Sequence, residues 1–122
     1  MTEVQEYQSI YYEASSRGFF LSISIRPGSL TIIKTRGGNP EVIPLDEANS
    51  SLITSELKEI DLSSFNTLVP PSASSAFDAA HMAFIRVSTA QETFESVQFD
   101  HGNPPKEIES LVNLILALAK VE

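Results

Sequence analysis

Ten residues near the end of the chain constrain its architecture more than any other stretch: Phe99-Asp100-His101-Gly102-Asn103-Pro104-Pro105-Lys106-Glu107-Ile108. They join a strand-forming run to a strongly apolar helix. Asn103 is a good N-cap and Pro104 is preorganised for the first helical position, so the spacing predicts a helix that begins there. Ile108, Leu111, Val112, Ile115 and Ala119 then fall on one stripe, broadened by Leu114, Leu118 and Val121. A stripe that wide belongs mostly in a core. Any part left exposed favours a homodimer or another partner, so monomer and homodimer both stay open.

The strand signals lie upstream. Phe19 to Arg26 alternates with a period of two, with Phe19, Leu21, Ile23 and Ile25 on one face and Ser22 and Ser24 on the other. Tyr7 to Ala14 is aromatic and β-prone, with Ile10, Tyr12 and Ala14 alternating against Tyr11 and Glu13. Ser15-Ser16-Arg17-Gly18 reads as the turn between these strands. Pro27-Gly28 reads as a type II turn into a third strand, Leu30 to Thr35. Arg36-Gly37-Gly38-Asn39-Pro40 leads to a short fourth strand, Glu41 to Ile43. Tandem tight turns imply an antiparallel meander.

After Pro44 the period changes. Leu52, Ile53, Leu57 and Ile60 fit helical spacing, with Asp46 and Glu47 supplying negative charge at the N-terminus. Leu62, Phe65 and Leu68 follow as apolar anchors on irregular backbone, and Pro70 to Ser75 as a surface loop. His81 to Thr89 and Thr93 to Phe99 read as a hairpin around Ala90-Gln91. That register sets Arg86 against Glu95, Phe84 against Val97, and Met82 against Phe99. The predicted fold is α+β, one domain over residues 1–122: a mostly antiparallel sheet of five or six strands with two helices packed on one face.

Charge narrows the function. The formal net charge of −8 argues against a general nucleic-acid binder and against adsorption to an anionic membrane, both of which need clustered cations. The charge is uneven. Ala14 to Pro40 carries Arg17, Arg26, Lys34 and Arg36 and no acid, leaving four cations against sixteen acids elsewhere. Such a segment is either a set of solvated strands and turns or a basic edge facing an acidic partner. The chain has no Cys, which excludes disulfides and thiolate-ligated metals. No apolar run reaches the roughly 18–20 residues of a membrane span. Met1 to Glu6 has neither the basic nor the apolar region of a signal peptide, so the expected location is cytoplasmic.

Chemistry-bearing residues are few. The hairpin register sets His81 opposite Asp100, beside His101, and brings Asp78 near Asn103. Asp78, His81, Asp100 and His101 thereby become candidates for one ligand- or partner-binding cluster. Two imidazoles and two carboxylates suit a zinc or manganese ion, or a general acid/base pair. Turn and cap hydrogen bonds that hold the loop, with His81 pairing with Asp100, are the structural account of the same residues and the one preferred. Adjacent strand residues point to opposite faces, so Asp100 and His101 share a site only where the strand has ended. No HExxH, GxSxG or Walker-type pattern and no Gly-rich phosphate loop is present. The expectation is a chain without a cofactor and without enzymatic activity; a small enzyme or metal protein using the His/Asp cluster is the alternative.

The order of these features carries a resemblance. Arg17-Gly18-Phe19 enters a strand, a meander and helix follow, and Pro70 and Pro71 precede Asp78. Phe99-Asp100 ends a hairpin, and Pro104 leads to a final helix with Leu111 and Val112. The pattern resembles the emfourin-like small bacterial proteins, a family of inhibitors of thermolysin-type metallopeptidases, and similar small Bacteroidetes proteins. It covers about residues 14–119. Two positions depart from it: Ser16-Arg17-Gly18-Phe19 stands where the family has Ser-Gly-Gly-Phe, and His101-Gly102 follows Phe-Asp where the family has an acidic residue and Gly. The resemblance implies a protein-binding module with a thermolysin-type peptidase as partner, and it assigns no inhibitory residue.

Overall fold

Alternating runs separated by two-residue turns have one economical solution, a sheet in which successive strands pair, and this is what forms. A computed structural model describes residues 7–16, 18–35, 37–69, 81–90, 92–101 and 103–120. The strands are β1 (Tyr7–Ser16), β2 (Phe19–Arg26), β3 (Ser29–Ile33), β4 (Glu41–Pro44), β5 (Met82–Thr89), β6 (Thr93–Glu95) and β7 (Phe99–Asp100). The helices are α1 (Glu47–Lys58) and α2 (Glu109–Leu118), with 3-10 turns at Leu62–Thr67 and Lys106–Ile108. The strands lie in the order β4-β3-β2-β1-β5-β6, with β7 pairing β5 beyond the end of β6. Every pairing is antiparallel.

One face of the sheet is the core. Ile10, Tyr12 and Ala14 of β1 stand between Ile25, Ile23 and Leu21 of β2 and Val87, Ile85 and Ala83 of β5, and all nine are buried. Ile53 and Leu57 of α1, Leu62 and Phe65 of the first 3-10 turn, and Ile108, Leu111, Val112 and Ile115 join them in one cluster. Each such aliphatic side chain contributes about 1.5–3 kcal/mol by leaving water. The helices therefore pack on this one face. The opposite face keeps Tyr11, Glu13, Phe84 and Arg86, each half-buried. There the Arg86 guanidinium lies 5.5 Å from the Tyr11 ring centre and 5.4 Å from that of Phe84.

Several local expectations are corrected. β1 runs on through Ser15 and Ser16, which pair with Phe20 and Phe19, so these two serines belong to the strand and not to the turn. The β2–β3 turn is as expected: Arg26 pairs with Ser29, and Gly28 takes φ 95°, a region open to glycine without a Cβ clash. In α1, Asp46 is the N-cap and accepts from the Asn49 N–H at 2.8 Å, while Leu52 faces solvent and Ile60 lies past the helix end. Asn103 does not cap the last helix. Pro105 disfavours helical backbone at Pro104, and Pro105 itself takes φ −53° and ψ 145°, so the chain enters α2 only through the 3-10 turn at Lys106–Ile108. Asn103 instead bridges back, its N–H donating to the Asp100 carbonyl at 2.9 Å. Of the α2 stripe, Ile108, Leu111, Val112, Ile115 and Ala119 are buried, and Leu114 and Leu118 are half-buried against the core. Among the described residues no helix is long and apolar enough to cross a membrane.

The last hairpin holds the correction that matters for the site. Arg86 pairs with Glu95, as expected, and their side chains form an exposed ion pair at 3.2 Å. A pair so exposed contributes about 1 kcal/mol or less. Past Ser96 the expected register fails. Ala83 pairs with Phe99 and Met82 with Asp100, not Phe84 with Val97 and Met82 with Phe99. Val97 and Gln98 together oppose the single residue Phe84, which is a one-residue β-bulge. Buried Ser96 holds it: its N–H donates to the Ile85 carbonyl at 2.8 Å, and its Oγ accepts the Ile85 N–H at 3.0 Å. The same hydroxyl donates to the Val97 carbonyl at 2.8 Å.

Candidate functional site

The bulge decides which residues meet. With the register moved by one, His81 stands opposite His101 rather than Asp100, and the His101 N–H donates to the His81 carbonyl at 2.7 Å. Asp100 pairs with Met82, one residue away, where strand alternation turns it from the face that carries the two histidines. It is buried, at 3% exposure. The candidate cluster is thus divided: His81 and His101 come together, Asp100 stands apart from them, and Asp78 lies outside the described residues. Among the described residues no three His, Asp or Glu side chains gather as a metal-ligand set.

Register places the partners of the two rings. Ser16, at the end of β1, lies across from Phe19 and beside His81. The Ser16 Oγ is 2.8 Å from His81 Nδ1, and Phe19 stacks flat on the His81 ring, with centres 3.9 Å apart and planes 11° apart. Phe19 also meets His101 at 5.8 Å, and the two imidazole centres are 6.2 Å apart. Tyr12, fully buried two rungs down β1, reaches His101 Nδ1 with its hydroxyl at 2.7 Å. The rungs between carry Ala14 and Ala83, small enough to leave room for the phenol.

The Tyr12 bond sets the proton on His101. Burial pushes the Tyr12 pKa up, so the phenol keeps its proton. Among the described residues His101 is the hydroxyl's sole hydrogen-bond partner, and a buried O–H without an acceptor is costly. Tyr12 is therefore assigned as donor and His101 Nδ1 as acceptor, which leaves the neutral ring its proton on Nε2. Burial, and then the neighbouring His81, lower the His101 pKa from its ordinary 6.5. The lowered pKa favours the neutral ring, whose Nε2–H has no hydrogen-bond partner among the described residues.

This end of the core face opens into a cleft of about 400 Å³ lined by Phe19, Phe20, Leu21, Lys34, His81, His101 and Lys120. Lys34 follows β3 and Lys120 follows α2, so the cleft lies at the end of the sheet strands, near the end of the last helix. Among the described residues no carboxylate lines it. A larger hollow of about 520 Å³ lies between the first 3-10 turn and β6, lined in part by Asp61, Glu92 and Glu95. Asp61 is already engaged there. Its carboxylate accepts from the Ser63 and Ser64 hydroxyls, which lower its pKa, so it acts as a cap rather than a ligand group.

Sequence reading found the two histidines but missed their partners. Tyr12 reads only as core, and Ser16 and Phe19 become neighbours of His81 only through the β1–β5 register. Lys34 had a signal, since it sits in the acid-free segment from Ala14 to Pro40; Arg17 and Arg36 of that segment lie outside the described residues. Lys120 gave none. Compared with family models, curated proteins and solved structures, the chain matches none.

Proposed function

We propose that this chain is a non-enzymatic protein-binding module that meets its partner at the Phe19–His81–His101 end of the sheet. The observation that supports this reading is the contrast of charge: among the described residues, two lysines and two histidines and no acid line the cleft, in a chain whose net charge is −8. Such a patch attracts an acidic surface and fixes its orientation. The stacked Phe19 and His81 rings add a rigid aromatic anchor, the kind of group that carries binding energy.

A thermolysin-type metallopeptidase is the partner that the family resemblance names. The test is titration of such a peptidase with the chain, following hydrolysis of a small peptide substrate. Stoichiometric inhibition, weakened in a His81→Ala, His101→Ala variant, is the expected result. Inhibition that survives that variant removes this end of the sheet as the contact surface. No inhibition at micromolar protein removes the peptidase as partner.

One observation favours a second reading, a small hydrolytic enzyme: the Ser16 hydroxyl lies 2.8 Å from a His81 ring nitrogen, within reach for proton transfer. Ester hydrolysis that is abolished by both Ser16→Ala and His81→Gln would establish it. Hydrolysis indifferent to both would dismiss it.

A further inference from the structure

We propose that the cleft between Phe19, Lys34, His81, His101 and Lys120 is an oxyanion site, built to take a carboxylate or phosphate group. This deepens the binding reading above and rests on it for the choice of surface. Three features converge. His101 has its Nδ1 tied inward by Tyr12, so Nε2–H is the polar atom the ring offers to the cleft. Lys34 and Lys120 supply positive charge from two different elements, and among the described residues no Asp or Glu lines the site to neutralise them. Phe19 closes one side, so an apolar body attached to the anion has an aromatic wall to lie on.

Lys120 adds an independent sign. It is the one non-glycine among the described residues with positive φ, at 59°. It follows the C-cap Ala119, and its N–H donates to the Ala117 carbonyl at 3.1 Å. Helices commonly end with glycine in that conformation, because a Cβ there costs about 1–2 kcal/mol. A lysine in its place keeps a cation at the cleft against that cost, and uncommon backbone of this kind collects at functional positions.

The rival occupant is a metal ion held by the two imidazoles, whose centres are 6.2 Å apart. The same two lysines repel a divalent cation and attract an anion, so charge separates the two occupants.

The experiment is a titration of the whole chain with benzoate, with inorganic phosphate and with zinc, each alone, followed through the ring resonances of His81 and His101. Saturable shifts with benzoate or phosphate at concentrations up to about 20 mM are expected, the millimolar range that fits a small exposed anion site. Benzoate alone identifies a carboxylate as the group; phosphate alone identifies a phosphate; both together identify the shared oxyanion chemistry. Lys34→Ala and Lys120→Ala are each expected to weaken binding about threefold, and the pair about tenfold. No saturable shift with either anion overturns the proposal. So does unaltered anion binding by the double lysine variant, or saturable zinc binding in place of anion binding. Anion binding without peptidase inhibition removes the peptidase as partner and leaves the site standing. Inhibition without anion binding does the reverse.

Discussion

The Tyr12 hydroxyl lies 2.7 Å from His101 Nδ1, tying the middle of β1 to a loop residue eighty-nine positions away. A buried phenol thus determines what an exposed cleft displays, because the nitrogen it occupies cannot also hold the ring proton. Tyr12→Phe keeps the aromatic volume and removes the donor. The expected cost is about 1 kcal/mol, the usual net value of one neutral hydrogen bond. The sharper readout is His101 itself. Its pKa is expected to rise toward 6.5, since a bond that favours the neutral ring has gone. Nitrogen NMR of the ring reads both tautomer and titration, and an unchanged pair would show that the hydroxyl does not hold the imidazole.

Acid is expected to destabilise the fold through this same ring. Burial, followed by the neighbouring His81, makes His101 harder to protonate folded than unfolded. Lys34 and Lys120 also face the cleft, and Tyr12 faces the ring from β1. The unfolded chain therefore takes up more protons in acid. Stability is full above the unfolded pKa of 6.5 and falls as pH drops through it toward the lower folded value. His101→Gln offers Tyr12 an amide oxygen and cannot charge. Urea unfolding between about pH 5 and 8 is expected to show a steeper acid loss for the natural chain than for this variant. Parallel curves would place the loss elsewhere.

Ser96→Ala is expected to be costly for so small a change. The hydroxyl accepts the Ile85 N–H in a buried setting, and removing it leaves that donor unpaired, at about 1–3 kcal/mol. The bulge would lose its clasp as well. Hydrogen exchange at the His101 amide, which bonds the His81 carbonyl at 2.7 Å, is the direct check. Faster exchange there than at the Val87 amide is expected. Equal exchange at both would show that the bulge is held by something other than Ser96.

That serine also explains where the sequence stopped being legible. The strands from β1 to β4, the burial of Ile53 and Leu57, and the α2 stripe follow from alternation and helical spacing, which depend on burial alone. The near half of the last hairpin follows too, because a two-residue turn and the Arg86–Glu95 pair agree on one register. Nothing in Glu95-Ser96-Val97-Gln98 announces a bulge, since the Ser96 hydroxyl replaces a ladder bond only once Ile85 is opposite. One uncounted residue then exchanged Asp100 for His101 at the His81 position. The helix entry failed for a nearer reason: Asn103-Pro104 has the look of a cap, and Pro105 vetoes it. The cleft itself joins Phe19, Lys34, His81, His101 and Lys120 from five stretches of chain, and only their topology brings them together.

Lys120→Gly separates stability from binding. Glycine relieves the Cβ conflict at φ 59°, a gain of about 1–2 kcal/mol, and gives back part of it through the greater freedom of the unfolded chain. The expected net effect is a stabilisation of about 0.5–1 kcal/mol, a rise of roughly 2–4 °C in Tm for a domain of this size. The same substitution removes one cation from the cleft, so benzoate or phosphate is expected to bind about threefold more weakly. Lys120→Ala is the control: it removes the charge equally but keeps a Cβ at the left-handed position. It is expected to bind as weakly as the glycine variant without the gain in Tm. Calorimetry and the anion titration on both variants check this. Weaker anion binding in both, with a higher Tm only for glycine, would mean the lysine is kept for its charge at a cost in stability. Anion binding equal to the natural chain in both would reduce Lys120 to an ordinary helix end.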